Sequence, residues 1–383
     1  MSTNPLSQSQ QKFSGELFKT VASLDSNANL MISPLSVFVA IMMALLGAKG
    51  DTRHEIQSTL HLNRTTQTNK SFKNLYDSLR PSMDDGTLTL ANNIFVDSHV
   101  HLQDTYQNKL KEYYDTESVL CNFQKDPEQG RRTINKWVGA KTNGLIKSLM
   151  PKRSIDPNTK VVLANAIHFK GSWSDTFDRN HTTKDTFFHI DGSSSENAIM
   201  MNKHEHNTQY GQNENAKWVK LPYNGDFSAT FIMPHDPHDI TEDTMNQLQS
   251  YVTDHHDILN KLTTNSVKLT RLAIPKFKVK CSTELSKALK KMGMKKAFSN
   301  AAEFNKMTEN LALKIDSVVH ESFMKVDEHG TEAAAATGVR FVPRSLVLNP
   351  VNYDFVANRP FMMIIEHVPS STILFMGKIM NVV

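Results

Sequence analysis

Apolar residues in the first third of the chain fall at helical spacing. FSGELFKTVAS repeats them every third or fourth position, and SPLSVFVAIMMALLGA is apolar nearly all round, the mark of a buried helix. Ser33 before Pro34 suits an N-cap with proline at the first helical position, and Gly47 and Gly50 read as the stop. From residue 87 the period changes. TLTLANNIFV and KVVLANAIHFKGSW are dense in β-branched and apolar residues, and the second run is nearly continuous, as in a strand buried on both faces. Between them, PEQGRRTINKWVGAKTNGLI reads as an amphipathic helix ending at Gly139 or Gly144. WVKLPY, FSATFIMP and VKLTRLAIPKFKV alternate like sheet strands, STELSKALKKMGM reads as a helix, and LALKIDSVVHESFMKVDEHG as another strand. RPFMMIIEH and TILFMGKI close the chain as a hairpin. Helices first and strands afterwards predict an α+β fold. No repeat, low-complexity tract or linker divides the chain, so a single domain over 1–383 is expected.

Composition narrows the class. The chain has 383 residues, 39% hydrophobic and 21% charged, as expected of a globular protein with a sizeable core. A net charge of +4 is too small for the footprint of a nucleic-acid binder, and no window approaches the length of a membrane span. The start, MSTNPLSQSQQKF, lacks the basic and apolar segments of a signal peptide. Cys121 and Cys281 lie far apart and read as two buried free thiols in preference to a disulfide, which the sequence leaves open. Sequons stand at Asn63, Asn69 and Asn180.

Catalytic signatures are missing from the sequence. It holds no G-x-S-x-G, no P-loop, no G-x-G-x-x-G and no H-E-x-x-H. His204-Glu205-His206 and His255-His256-Asp257 read as solvated loop surface rather than metal ligands, and Arg131, Arg132 and Lys136 as a solvated helix face. Neither an enzyme nor a metal site is expected.

The unusual chemistry lies late, in EHGTEAAAATGVRFVPRSLVLNP, residues 328–350. Read as a strand from 331 to 342, it puts Thr331, Ala333, Ala335, Thr337, Val339 and Phe341 on one face. Glu332, Ala334, Ala336, Gly338, Arg340 and Val342 take the other, with both charges. Such a strand can slide into a sheet and bury its odd face without stranding a charge. Twelve residues at about 3.3 Å each span roughly 40 Å, and no proline interrupts them before Pro343. Alanine nonetheless favours helix over strand, so an exposed loop or short helix stays open beside the inserted strand. Arg344-Ser345 after Phe341, Val342 and Pro343 suits the primary pocket of trypsin-like proteases, and Pro343 favours the extended shape their clefts bind.

Several motifs in order, from about residue 12 to 382, resemble the serpin family. NLMISPLSVFVAIMMALLGAKGDTRHEI, LANAIHFKGSW, AIPKFKV, LKKMGMKKAFSNAAEF and FVANRPFMMII carry the likeness, and EHGTEAAAAT matches the hinge of inhibitory members. The resemblance implies helices packed on a large central sheet, two further sheets and an exposed reactive loop over about 328–350. In inhibitory serpins the scissile bond follows fourteen residues after the hinge glycine. From Gly330 that count reaches Arg344, the bond already marked by the protease argument. Val342-Pro343-Arg344-Ser345 is also similar to sites preferred by thrombin, an antithrombin-like specificity.

The family resemblance further implies suicide inhibition, in which the chain from Thr331 onward inserts after cleavage and drags the acylated protease away. A dozen new ladder bonds at about 1 kcal/mol each, with the buried odd face, supply on the order of 10 kcal/mol or more. It assigns Glu328, Gly330, Thr331, Glu332, Ala333, Ala334, Ala335, Ala336 and Thr337 to the hinge. Ser33, Ser36, Asn165 and His320 are then the groups where central strands part, with Trp173 near the point of insertion. A charge at Thr331 is expected to leave the uncut fold untouched and to block insertion. The alternative is a non-inhibitory carrier or chaperone, against which the small residues at 333–337 argue. Lys70, Lys73 and Arg80 share one helix face and are the candidates for heparin; no other cofactor is expected. The expected partners are trypsin-like serine proteases, met by a monomer that binds neither nucleic acid nor membrane. A protease target favours an extracellular location, the missing signal peptide a cytoplasmic one.

Overall fold

The computed structural model describes residues 5–24, 28–62, 68–236, 240–255, 257–309, 312–331 and 353–382. In chain order it opens with α1 (Pro5–Ala22), β1 (Leu30–Ile32), α2 (Pro34–Gly47), α3 (Gly50–Thr59) and α4 (Thr68–Asp84). There follow β2 (Leu88–Asp97), α5 (Asp104–Tyr114), β3 (Val119–Cys121), α6 (Pro127–Lys141), β4 (Val161–Phe169) and β5 (Gly171–Ser172). The middle holds β6 (Thr183–Phe188), β7 (Ser194–Gln212), β8 (Lys217–Pro222), β9 (Phe227–Met233), α7 (Glu242–Thr253) and α8 (Ile258–Lys261). The last third adds β10 (Asn265–Pro275), β11 (Phe277–Glu284), α9 (Ser286–Lys291), β12 (Ser317–Asp327) and β13 (Gly330–Thr331). It ends with β14 (Tyr353–Val356), β15 (Phe361–His367) and β16 (Thr372–Ile379). The α+β class is the observed one.

The chain divides into two compact units. The first comprises Met1–Val21, Ile32–His168 and Lys280–Phe323. Its centre is α2, every residue of which is buried. Ser33 caps it as expected, its side chain accepting from the Ser36 N–H at 3.2 Å. Around it run β2, β3, β4 and the first part of β12, with β4 and β12 parallel over seven register pairs from Ser317–Val162 to Phe323–His168. On the other sheet face, Ile134 and Val138 of α6 pack with Ala164, Ala166 and Val319.

The second unit comprises Ala22–Met31, Phe169–Val279 and Met324–Val383. Here the strands foreseen in two further sheets form one ladder, β1-β16-β15-β9-β8-β7-β10-β14, with β6 on β7. The long β7 joins them, pairing with β10 along much of its length and with β8 at its end.

Local expectations fail where period and glycine were over-read. Gly50 does not stop a helix but opens α3, at φ +50°. Helix α6 runs through Gly139 to Lys141. In 282–294 the strand β11 holds until Glu284, leaving a helix of only six residues. His204 and His206 lie on β7, not in a loop. Cys121 is buried and Cys281 only partly so; neither is in a disulfide.

Candidate functional site

Two clusters hold the described residues that sequence reasoning assigned to the hinge and to the parting of the strands. The first lies at the seam between β4 and β12. His320 and Asn165 are register partners there, both fully buried, and His320 Nδ1 meets Asn165 Oδ1 at 2.5 Å. The other ring nitrogen, Nε2, accepts the Ser33 backbone N–H at 3.0 Å. An N–H can only donate, so Nε2 carries no proton and Nδ1–H is the donor to Asn165. The ring is therefore neutral, and burial pushes its pKa down to about 3. Ser36 extends the network by donating to Asn92 Oδ1 at 3.1 Å. The amide Nδ2 of Asn165 is left with no partner.

The second cluster belongs to the second unit and receives the hinge. Trp173 and Tyr223 stack with ring centroids 4.3 Å apart and planes 10° from parallel. Trp173 Nε1 donates to the Asp327 carbonyl at 3.0 Å, which fixes the indole against the end of β12. Tyr223 OH and Thr331 Oγ1 share a hydrogen bond of 2.6 Å, and both groups are buried. Gly330 and Thr331 pair with Asp327 and Val326 on one side, and with Ser172 and Gly171 on the other. The partner of β12 thus changes along its length, from β4 to β13. Gly330 has φ +148°, and a Cβ there would stand 2.0 Å from the Gly171 carbonyl oxygen. No other residue fits.

Glu328, two residues before, is buried and bound by Lys276 at 2.9 Å and by the Thr182 hydroxyl at 2.9 Å. Burial alone would raise its pKa, but the hydrogen bonds from Lys276 and Thr182 outweigh it and hold the carboxyl below its usual range.

One expectation is overturned here. Thr331 does not wait in solvent for cleavage: its side chain is already sealed in. A charge at this position would strain the uncut protein too. Glu332, Ala333, Ala334, Ala335, Ala336, Thr337, Phe341, Val342, Pro343, Arg344 and Ser345 lie outside the described residues. The heparin candidates Lys70, Lys73 and Arg80 do share α4, but Asp77 lies 3.2 Å from Lys73 and 3.9 Å from Arg80, and Asp115 lies 3.5 Å from Arg80. Sequence reasoning missed Asn92, Tyr223, Lys276 and Thr182. Nothing in their local pattern marks them, because each acts on a partner far away in the chain.

The pattern of the serpin (serine protease inhibitor) family matches residues 8–382. The chain belongs to the serpin family. A serpin-like protein of Methanosarcina mazei is 34% identical over 92% of this chain and 81% of its own length. The leukocyte elastase inhibitor of Bos taurus is 32% identical, covering 98% of each chain. Among solved structures, Arabidopsis AtSerpin1 in its native stressed conformation superposes with a TM-score of 0.87, at 26% identity, covering 100% of this chain and 99% of that one.

Two predictions follow from the clusters. An unfolded His320 takes up a proton below about pH 6.5, whereas the folded ring refuses it until about pH 3. Its contribution to stability is therefore complete above pH 6.5 and declines as the pH falls towards 3. Denaturant unfolding at pH 7.5 and 5 should show a larger acid loss for the wild type than for His320→Gln. Equal losses would refute the assignment. At the hinge, Tyr223→Phe or Thr331→Val strands one buried hydroxyl and should cost about 1–3 kcal/mol. The double variant should cost less than the sum of the two, and strict additivity would mean that the bond contributes nothing.

Proposed function

We propose that this serpin is a suicide inhibitor of trypsin-like serine endopeptidases, cleaved between Arg344 and Ser345. The observation that carries the reading is the seat of Gly330 and Thr331, already paired between β12 and β5. A chain held in this way has only to continue along β12 to add a strand beside it. Attack on the Arg344 carbonyl breaks the bond to Ser345, whose amine leaves, and forms an ester with the protease serine. The acylated segment then inserts and carries the protease with it.

The energetics support the direction. Insertion gives up the single β4–β12 ladder and makes two, one on each side of the new strand. At about 1 kcal/mol net per bond, the second ladder alone supplies on the order of 10 kcal/mol, comparable to a domain's whole stability. The His320–Asn165 bond must also break as the new strand enters that seam. The run Val342-Pro343-Arg344-Ser345 favours a thrombin-like enzyme as the narrower target.

Incubation with trypsin should yield a complex that survives denaturing electrophoresis, and the released peptide should begin at Ser345. A peptide with any other first residue would disprove the assigned bond. Arg344→Ala should slow trypsin capture by several orders of magnitude, since the primary pocket loses its charge partner. Capture is expected without heparin. Any acceleration by heparin should fall with added salt, and its persistence in a Lys70→Ala, Lys73→Ala variant would exclude α4 as the site.

A further inference from the structure

Charge is spread unevenly over the first unit. On α4 the basic side chains Lys73 and Arg80 are answered by Asp77 and Asp115. Lys49, Arg53, Lys109 and Lys306 have no such answer, since none of them pairs with a described carboxylate. The chain from Glu303 to Glu309 brings them together. The Lys49 N–H donates to the Glu303 carbonyl at 2.8 Å, and the Lys306 N–H to the Gly47 carbonyl at 3.1 Å. Gln103, just before α5, donates its N–H to the Met307 carbonyl at 2.8 Å and its side-chain amide to the Asn305 carbonyl at 2.9 Å. That segment is thereby stitched to the end of α2 on one side and to the start of α5 on the other.

The result is felt at Lys306, which is partly buried. Burial first, then the charges of Arg53, Lys109 and Lys49, lower its pKa, and no carboxylate opposes them. The C-terminal end of α2 attracts cations, and Arg53 Nη1 donates there to the Leu45 carbonyl at 3.5 Å. A helix end carries only about half a charge, too little to balance the group. The cluster is also bounded. Asp51, Glu303, Asp104 and Glu309 border it in the same segments. Asp51 pairs with Lys296, Glu303 accepts the Asp51 N–H at 2.9 Å, and Glu309 accepts the Gln103 amide at 3.4 Å. A long polyanion running out along these segments would meet carboxylates. A compact one would not.

We propose that Lys49, Arg53, Lys109 and Lys306 form a binding site for a compact polyphosphate. The ammonium groups act as point charges and the Arg53 guanidinium as a two-pronged donor, a combination that suits clustered phosphate oxygens. Bound phosphates supply the countercharge that the described fold lacks at this corner.

The test titrates the full chain with sodium tripolyphosphate in a calorimeter. It is run at ionic strengths of about 0.01 M and about 1 M, where charges are screened beyond roughly 30 Å and 3 Å. One equivalent should bind at low salt and none detectably at high salt. Lys306→Gln and Lys109→Gln should each weaken binding about two- to fivefold, and the two together about tenfold. Lys49→Gln gives an independent third reading of the same size. A Lys70→Gln, Lys73→Gln protein should bind as wild type does. Adenosine triphosphate separates the sources: equal affinity means that a bare phosphate chain is read, tighter binding that a nucleotide is. No binding at low salt, or full affinity in the Lys306→Gln, Lys109→Gln protein, overturns the site. A heparin octasaccharide that binds more tightly than tripolyphosphate, and loses affinity in that double variant, overturns the compact phosphate class.

Discussion

A buried side-chain hydrogen bond, from His320 Nδ1–H to Asn165 Oδ1, spans the seam on which the proposed activity turns. It joins the middles of two parallel strands and is sealed from water on every side. Its direction is set from a third element, because the Ser33 N–H at the start of α2 occupies the other ring nitrogen. Helix cap, tautomer and strand pairing therefore hold one another in place. Removal of any one leaves a buried polar group without a partner, which costs more than the bond itself contributes.

The hinge follows a different rule. The seam is closed by polar groups, whereas Thr331 is held by an aromatic stack and a backbone that only glycine can adopt. Trp173 fixes Tyr223, Tyr223 fixes Thr331, and Gly330 lets the chain turn back along β12 without a clash. Glu328 adds an ionic anchor just upstream. The protein thus holds Gly330 and Thr331 by packing and backbone shape, and the seam between β4 and β12 by buried polar groups.

Much of this was legible in the sequence, for identifiable reasons. The α2 helix announced itself through continuous apolarity, and β4 through a run of apolar residues too short for most helices. Gly330 was visible because its lack of a side chain is itself a signal. What failed was local: Gly50 and Gly139 look like helix stops, yet neighbours make one a helix start and the other an interior residue. Seating of Thr331 could not be read, since it depends on Tyr223, 108 positions away. The low pKa of His320 likewise depends on burial, and its tautomer on an N–H 287 positions away, neither of which leaves a mark in HES.

A strand that must zip into a sheet ordinarily faces a slow first step, because the free chain has to find its register before any bond rewards it. Here Gly330 and Thr331 are held in register from the moment of folding. Under the proposed mechanism the search is complete before a protease arrives, and each later residue needs only to join a ladder whose alignment is fixed. The hinge then serves as a preformed nucleus. Acylation starts a contest between hydrolysis and propagation, with no separate nucleation delay for hydrolysis to exploit.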